Sequence, residues 1–314
     1  MKPEILVLVP IYAPTLAELE REFTVRKLWI EKDPDAYMKE ACGRVRALVT
    51  TGLAGFSRHH IEALPGLEII ACFGNPHGTG AEDRAAAAAR RVIVTNTPDS
   101  ISATVADLAM GLLISAMRRL VEGDRFVRAG KWPQGPHPAG RDLGGKTCGI
   151  VGLGRIGREI ARRVQACGMS VCYHGPHRKD DVPYPYYPDL EAMARASDCL
   201  VVICPLTPAT RNLVDARVLA ALGPDGFLVN VARGPVVNQE ALIAALRDKR
   251  IAGAGLDVFW DEPRVPAELA AMDNVVLSPH LGSNTRENRE ERGRKLLANL
   301  RAHFAGKPVL TPLA

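Results

Sequence analysis

The chain has 314 residues, enough for two domains of ordinary size, with 47% apolar and 24% charged residues. These are globular proportions, and they exclude a wholly disordered, collagen-like or coiled-coil chain. The net charge of +5, from 40 basic and 35 acidic residues with no long basic run, suits small anionic ligands rather than nucleic acid.

The first apolar run, Ile5–Val9, follows Lys2 as in a signal peptide, but it is short and Pro10 interrupts it. It reads as a β-strand. Ala47–Thr50, Glu68–Phe73 and Val92–Asn96 read as further strands, each short, apolar and rich in β-branched residues. Ala85–Ala89 is a helix-forming run between two of them. The turn cluster Asn96-Thr97-Pro98-Asp99-Ser100 precedes a long helix. On it, Val105, Leu108, Ala109, Leu112, Leu113 and Ala116 form one apolar stripe at helical spacing. Lys131–Gly145 is rich in Pro, Gly and polar residues and reads as a surface loop. Strands are then expected at Cys148–Val151, Ser170–Tyr173, Cys199–Ile203, Phe227–Val231, Ala254–Leu256 and Val275–Leu277. Such alternation predicts parallel sheets covered by helices on both faces. The charged stretch Arg286–Arg294 has i, i+4 pairs such as Arg286/Glu290 and reads as a solvated helix face. No stretch of about 20 apolar residues occurs, so no membrane span is expected. Seven cysteines, including Cys42, show no CxxC spacing and sit mostly in apolar runs. A reducing, cytoplasmic setting is expected, with no metal site.

Gly152-Leu153-Gly154-Arg155-Ile156-Gly157 follows a predicted strand and opens the helix Arg155–Cys167. In that context GxGxxG reads as a dinucleotide turn. Gly152 permits the tight turn, Gly154 admits a pyrophosphate, and Gly157 allows close helix–strand packing. The helix N-terminus offers free N–H groups to phosphate. Roughly 20 residues on, an NAD site places an acid against the ribose. Here the second strand runs into Tyr173-His174-Gly175-Pro176-His177-Arg178-Lys179, and no acid appears before Asp180. The cations and imidazoles there suit a 2′-phosphate. NADP(H) is therefore the preferred cofactor, with NAD(H) possible. A zinc site at His174 and His177 is disfavoured by the intervening Gly175-Pro176.

VADLAMGLL (105–113), GLGRIG (152–157), CPLTPATRNLV (204–214), NVARGPVV (230–237), GAGLDVFWDEP (253–263) and SPHLGS (278–283) follow in order. With HFAGKPVLTP (303–312), they make the chain resemble the D-isomer-specific 2-hydroxyacid dehydrogenases. The resemblance is nearest to the glyoxylate/hydroxypyruvate and hydroxyphenylpyruvate reductases, covers most of residues 92–314, and is weaker before residue 65. It implies an α/β protein of two doubly wound parallel-sheet domains. A Rossmann NAD(P)-binding domain (99–284) is inserted into a flavodoxin-like substrate domain (1–98 plus 285–314), with crossings near residues 99 and 285 and the site in the cleft between them. It also implies a small 2-oxo or 2-hydroxy acid as substrate, no nucleic-acid or membrane partner, and a homodimer using the helix near residues 101–120.

Reduction of a 2-oxo acid needs a hydride donor, a cation for the carboxylate and an acid for the carbonyl oxygen. A guanidinium fits a carboxylate bidentately, and by resemblance Arg233 is that group. An imidazole titrates near neutrality; His280 matches the family's proton donor and Glu262, placed just before Pro263, its carboxylate partner. Asp257 matches a position at the nicotinamide end. Cys204 and Pro205 match a loop on the adenosine side, and Gly175, His177, Arg178, Val231 and Ala232 complete the expected cofactor contacts. Ser283 and Gly78 are expected at the substrate, and Trp132 resembles a loop tryptophan that approaches it. One segment departs from the pattern. The family carries a Val-Gly-x-Asp-like loop after the strand Glu68–Phe73, whereas here Gly74–Asp83 is about two residues longer than the usual form, with Gly80 where Asp is common. Either Asn75 or His77 reaches the ligand, or the loop is rebuilt without side-chain contact. A dinucleotide-sensing corepressor of the same fold, or a dehydrogenase of a non-carboxylate oxyanion such as phosphite, are the alternatives.

Overall fold

A computed structural model describes residues 2–41, 43–76, 78–97 and 101–313. Cys42, His77 and the forward crossing expected near residue 99 fall outside this set. The chain forms two compact units, Met1–Ser100 with Thr285–Ala314, and Ile101–Asn284.

In the first unit, strands β1 (Glu4–Val7), β2 (Thr24–Lys27), β3 (Val45–Thr51), β4 (Ile69–Phe73) and β5 (Ile93–Thr95) form a parallel sheet. Its order is β2-β1-β3-β4-β5. Alternation along β1 sends Ile5 and Val7 to one face and Leu6 and Leu8 to the other, and each face has its own buried cluster. The charged helix Arg286–Phe304 covers the first face with Leu296, Leu297 and Leu300. It runs ten residues beyond the charged stretch that announced it, because the apolar residues that hold it lie in its second half.

β2 is a strand that the sequence pattern did not reveal. Its residues Thr-Val-Arg-Lys have no apolar alternation because it is an edge strand. Arg26 instead pairs with Glu4 on the neighbouring β1, 3.2 Å away.

In the second unit, β6 (Thr147–Val151), β7 (Ser170–His174), β8 (Cys199–Val202), β9 (Phe227–Asn230), β10 (Gly253–Leu256) and β11 (Val275–Leu277) are also all parallel. The order is β11-β10-β9-β8-β6-β7. The chain moves outward from β6 to β7 and returns on the other side at β8, so the order reverses between β6 and β8. Ligands of open α/β sheets bind at the carboxyl ends of strands at such a reversal. The helix Ser102–Met117 packs on this sheet through the expected stripe, with Val105, Ala109, Leu112, Leu113 and Ala116 buried. Gly255 of β10 makes room for it, since a Cβ there would lie 2.9 Å from that of Leu112. At Arg119, whose φ is 55°, a second helix begins, Leu120–Arg128, and it buries none of its residues. A short 3-10 turn, Trp132–Gln134, interrupts the predicted loop. No helix among the described residues is long and apolar enough to cross a membrane.

Candidate active site

The second unit gathers Arg233, Asp257, Glu262 and His280 at the carboxyl ends of β9, β10 and β11. β9 ends in Asn230, a buried polar residue whose side chain shapes the turn that follows. Its Oδ1 accepts from the Ala232 N–H at 3.0 Å and its Nδ2 donates to the Arg233 carbonyl at 3.1 Å. Val231 and Ala232 are buried beneath the turn and Arg233 is half-buried. Gly234 must lack a side chain, because a Cβ there would lie 2.2 Å from the Phe259 backbone. The Arg233 turn is thus pressed against the loop after β10.

That loop begins at Asp257, which is 1% exposed. Its carboxylate accepts three hydrogen bonds: from Ser278 Oγ at 2.6 Å, the Leu281 N–H at 2.7 Å and the Gly282 N–H at 2.8 Å. A carboxylate offers about four lone-pair sites. Most of its capacity is therefore spent on the turn that carries His280. The turn needs such a clamp, because His280 has φ of 54°, a conformation L-residues adopt at a cost of about 1–2 kcal/mol. The His280 N–H is also tied to the Asp257 carbonyl at 2.9 Å.

The imidazole reaches back to the same loop. His280 Nδ1–H donates to Glu262 Oε2 at 2.7 Å, and the Phe259 N–H donates to Glu262 Oε1 at 3.0 Å. Both side chains keep about a third of their surface open, at 31% for His280 and 30% for Glu262. Asp261 points elsewhere, holding Arg264 at 2.7 Å. An unbroken series of contacts therefore runs from the Arg233 turn through Phe259 and Glu262 to His280. Sequence reasoning missed Asn230, Ser278 and the clamp made by Asp257. A polar residue closing each of the apolar runs Phe-Leu-Val-Asn and Val-Val-Leu-Ser was the available signal.

The glycine turn lies at the reversal between β6 and β8. Gly152 has φ of 104°, and a Cβ on it would lie 2.8 Å from the backbone nitrogen of Cys204, just past β8. A Cβ on Gly157 would lie 2.3 Å from the Gly152 carbonyl oxygen. Gly154 is different: nothing lies within 4 Å of its Cβ position, and it starts the helix Arg155–Ala166 with no side-chain cap. Open space before uncapped helical N–H groups is what a pyrophosphate requires, so the turn fits a dinucleotide. Leu153 is buried and Ile156 half-buried, while Arg155 is exposed. Beyond β7, Gly175 is half-buried and Arg178 and His177 are exposed, with Asp180 4.0 Å from Arg178. His174 is occupied, its Nδ1 bonding the Tyr187 carbonyl at 2.9 Å. Cys204 is buried, which pushes its thiol up to about 11, and Pro205 is exposed beside it. Ser283 is half-buried, two residues past the clamped Leu281.

The atypical loop belongs to the first unit. The Gly78 N–H donates to the Gly52 carbonyl at 2.9 Å, and a Cβ on Gly78 would lie 2.0 Å from the Leu53 carbonyl oxygen. Asn75 Oδ1 already accepts from Asn96 at 2.9 Å. Asp83 ties the loop's end to the Arg58 N–H at 2.7 Å. Trp132 stands apart in the second unit, 67% exposed.

Residues 110–282 match the profile of the D-isomer specific 2-hydroxyacid dehydrogenase, NAD binding domain. The chain is 43% identical over 309 residues to glyoxylate/hydroxypyruvate reductase A of Arabidopsis thaliana, covering 98% of each chain. Its fold matches a solved 2-hydroxyacid dehydrogenase from Ketogulonicigenium vulgare with a TM-score of 0.93 at 40% identity, covering 100% of this chain and 99% of that one. It also matches the NADPH-dependent glyoxylate/hydroxypyruvate reductase of Sinorhizobium meliloti, solved with NADP and malonate, with a TM-score of 0.87 at 40% identity over 100% and 97% of the two chains. The corepressor reading finds no counterpart among these relatives. With the matched profile spanning its second unit and these relatives spanning nearly its whole length, the chain belongs to the D-isomer specific 2-hydroxyacid dehydrogenase family.

Proposed function

We propose that the chain reduces small 2-oxo acids, glyoxylate and hydroxypyruvate foremost, to 2-hydroxy acids, using NADP(H) in preference to NAD(H). The observation that carries this reading is the His280–Glu262 pair. With Nδ1–H committed to the carboxylate at 2.7 Å, the ring exchanges its proton at Nε2. When bound, the dinucleotide supplies the hydride for the carbonyl carbon, and the residues to hold it are Gly152–Gly157, Gly175, His177, Arg178, Cys204, Pro205, Val231 and Ala232. His280 gives its Nε2 proton to the carbonyl oxygen. Arg233 binds the carboxylate and orients the carbonyl. Ser283 is the further substrate contact in this reading, whereas the Gly78 N–H expected to serve the substrate is already given to the Gly52 carbonyl. Asp257 serves His280 as a positioning residue.

The preference for NADP(H) rests on the cationic, acid-poor segment after β7 and is supported by the NADPH-dependent relative. A homodimer belongs to the same reading. The exposed apolar side chains of Leu120, Val127 and Trp132, on a helix and turn that bury nothing, support it. A reducing, cytoplasmic setting belongs to the same reading, on the odd number and irregular spacing of the cysteines in the sequence. The test is loss of NADPH or NADH absorbance against glyoxylate, hydroxypyruvate, phenylpyruvate and pyruvate. Turnover of glyoxylate or hydroxypyruvate with NADPH is expected to lead. Tight NADPH binding with no turnover of any of the four would overturn the proposal.

A further inference from the structure

The edge of the second sheet carries a tyrosine-rich segment that the proposed reaction leaves without a task. Tyr184, Tyr186 and Tyr187 follow β7 within the run Val-Pro-Tyr-Pro-Tyr-Tyr-Pro. β7 ends the sheet on that side, and Pro185–Tyr187 lie along its outer edge. The Tyr173 N–H donates to the Pro185 carbonyl at 3.0 Å, and the Tyr187 N–H donates to the Tyr173 carbonyl at 2.9 Å. Residues 175–184 therefore form a loop closed at its base, and it contains Gly175, His177 and Arg178. At that base the Gly152 N–H donates to the His174 carbonyl at 2.9 Å, which joins the loop to the glycine turn.

Two phenols bracket the exposed part of this loop. The Tyr186 hydroxyl donates to the Gly175 carbonyl at 3.0 Å. The Tyr173 side chain is 1% exposed, and its hydroxyl oxygen accepts from the Lys179 N–H at 2.7 Å. The two rings lie 5.3 Å apart between centroids. Pro176, His177 and Arg178, all exposed, are the whole of the span between the two held points. Further along, Asp181 pairs with Arg158 at 2.8 Å, and the Tyr184 hydroxyl donates to Gln165 Oε1 at 2.9 Å. Both partners stand on the helix Arg155–Ala166, which opens at the glycine turn. Cations on a loose loop lose backbone and side-chain freedom when they meet a ligand, and that loss weakens binding. Here the backbone on either side of His177 and Arg178 is ordered by folding itself.

We infer that Tyr173 and Tyr186 are positioning residues for cofactor choice: by fixing Lys179 and Gly175, they hold His177 and Arg178 ready for the 2′-phosphate of NADP(H). Their hydroxyls act through the loop backbone. The inference rests on the NADP(H) reading and adds to it the device that makes the loop selective. A preset guanidinium gives a ribose phosphate strong charge-assisted hydrogen bonds. A ribose with a free 2′-hydroxyl draws little from the same group, so the clamp favours one cofactor over the other.

The experiment needs no turnover. The full-length chain is titrated calorimetrically with 2′,5′-ADP and with 5′-AMP, which differ in the 2′-phosphate alone. The parent should bind 2′,5′-ADP about tenfold or more tighter, and Arg178→Ala should remove most of that preference. Tyr186→Phe and Tyr173→Phe keep the rings and delete one hydroxyl each. Each should weaken 2′,5′-ADP by about three- to tenfold and leave 5′-AMP within about twofold. On the Arg178→Ala background the same changes should add almost nothing, because their effect passes through that side chain. If the change at buried Tyr173 prevents folding, Tyr186→Phe at its half-buried site gives the same reading. Tyrosine variants that keep the full preference, or that weaken both nucleotides alike, would overturn the clamp while Arg178→Ala still upholds the cofactor reading. A parent that binds the two nucleotides equally would overturn the cofactor reading and the clamp with it.

Discussion

Asp257→Asn separates a positioning role from a cofactor contact. The carboxylate holds Ser278 Oγ, the Leu281 N–H and the Gly282 N–H in a buried site. An asparagine keeps one acceptor oxygen and turns an NH2 group toward one of the two backbone N–H donors. One buried N–H then loses its partner, at about 1–3 kcal/mol, and the surviving bonds lose their charge assistance, for a total of about 2–4 kcal/mol. For a unit of this size each kcal/mol moves the melting temperature by about 2–4 °C, so a drop of about 5–15 °C is expected. The turn that holds His280 at positive φ loosens with it, and a displacement near 1 Å of a reacting group costs about a hundredfold in rate. Calorimetry and NADPH oxidation with glyoxylate measure both effects. A variant that melts within a degree of its parent, but binds NADPH much more weakly, would refute the clamp and return Asp257 to the nicotinamide end of the cofactor.

Other consequences can be checked separately. Arg178→Ala should raise KM for NADPH about tenfold and leave KM for NADH nearly unchanged; equal effects on both would remove Arg178 from the 2′-phosphate. Burial pushes the Cys72 thiol up to about 12 and the Cys204 thiol up to about 11. Iodoacetamide at neutral pH should therefore spare both in the folded chain and modify exposed Cys167 before either of them, as peptide mass mapping would show. The hydrogen bond from Arg46, aided by His303, holds the Glu68 carboxyl below its usual range. Its contribution is present above the unfolded carboxyl range and is lost as pH falls through the lowered value. Melting of Glu68→Gln should accordingly lose less between about pH 6 and pH 2 than that of its parent, and parallel curves would contradict this.

Most of the scaffold was legible because buried parallel strands leave continuous apolar runs. Cys199–Val202 and Phe227–Asn230 are buried at every position, and they lie where their composition placed them. β2 was not legible, since an edge strand needs neither alternation nor a continuous apolar run, and Arg26 is explained by a glutamate 22 residues away and by Tyr37 on a later helix. The glycine turn was readable because its spacing carries a steric demand, met at Gly152 and Gly157 by backbone approaches under 3 Å. His280 and Glu262 were found through motif position, and their contact spans 18 residues that local periodicity cannot bridge. The three-bond clamp of Asp257 was hidden for the same reason.

The most direct test of the proposed chemistry compares His280→Ala with the parent chain in two assays, NADPH binding by fluorescence and steady-state reduction of glyoxylate. Loss of a general acid costs about a hundredfold to ten-thousandfold in kcat, so turnover should fall by that much while NADPH affinity stays within a few-fold. Turnover that survives the substitution, or a parallel collapse of NADPH binding, would show that His280 is not the proton donor.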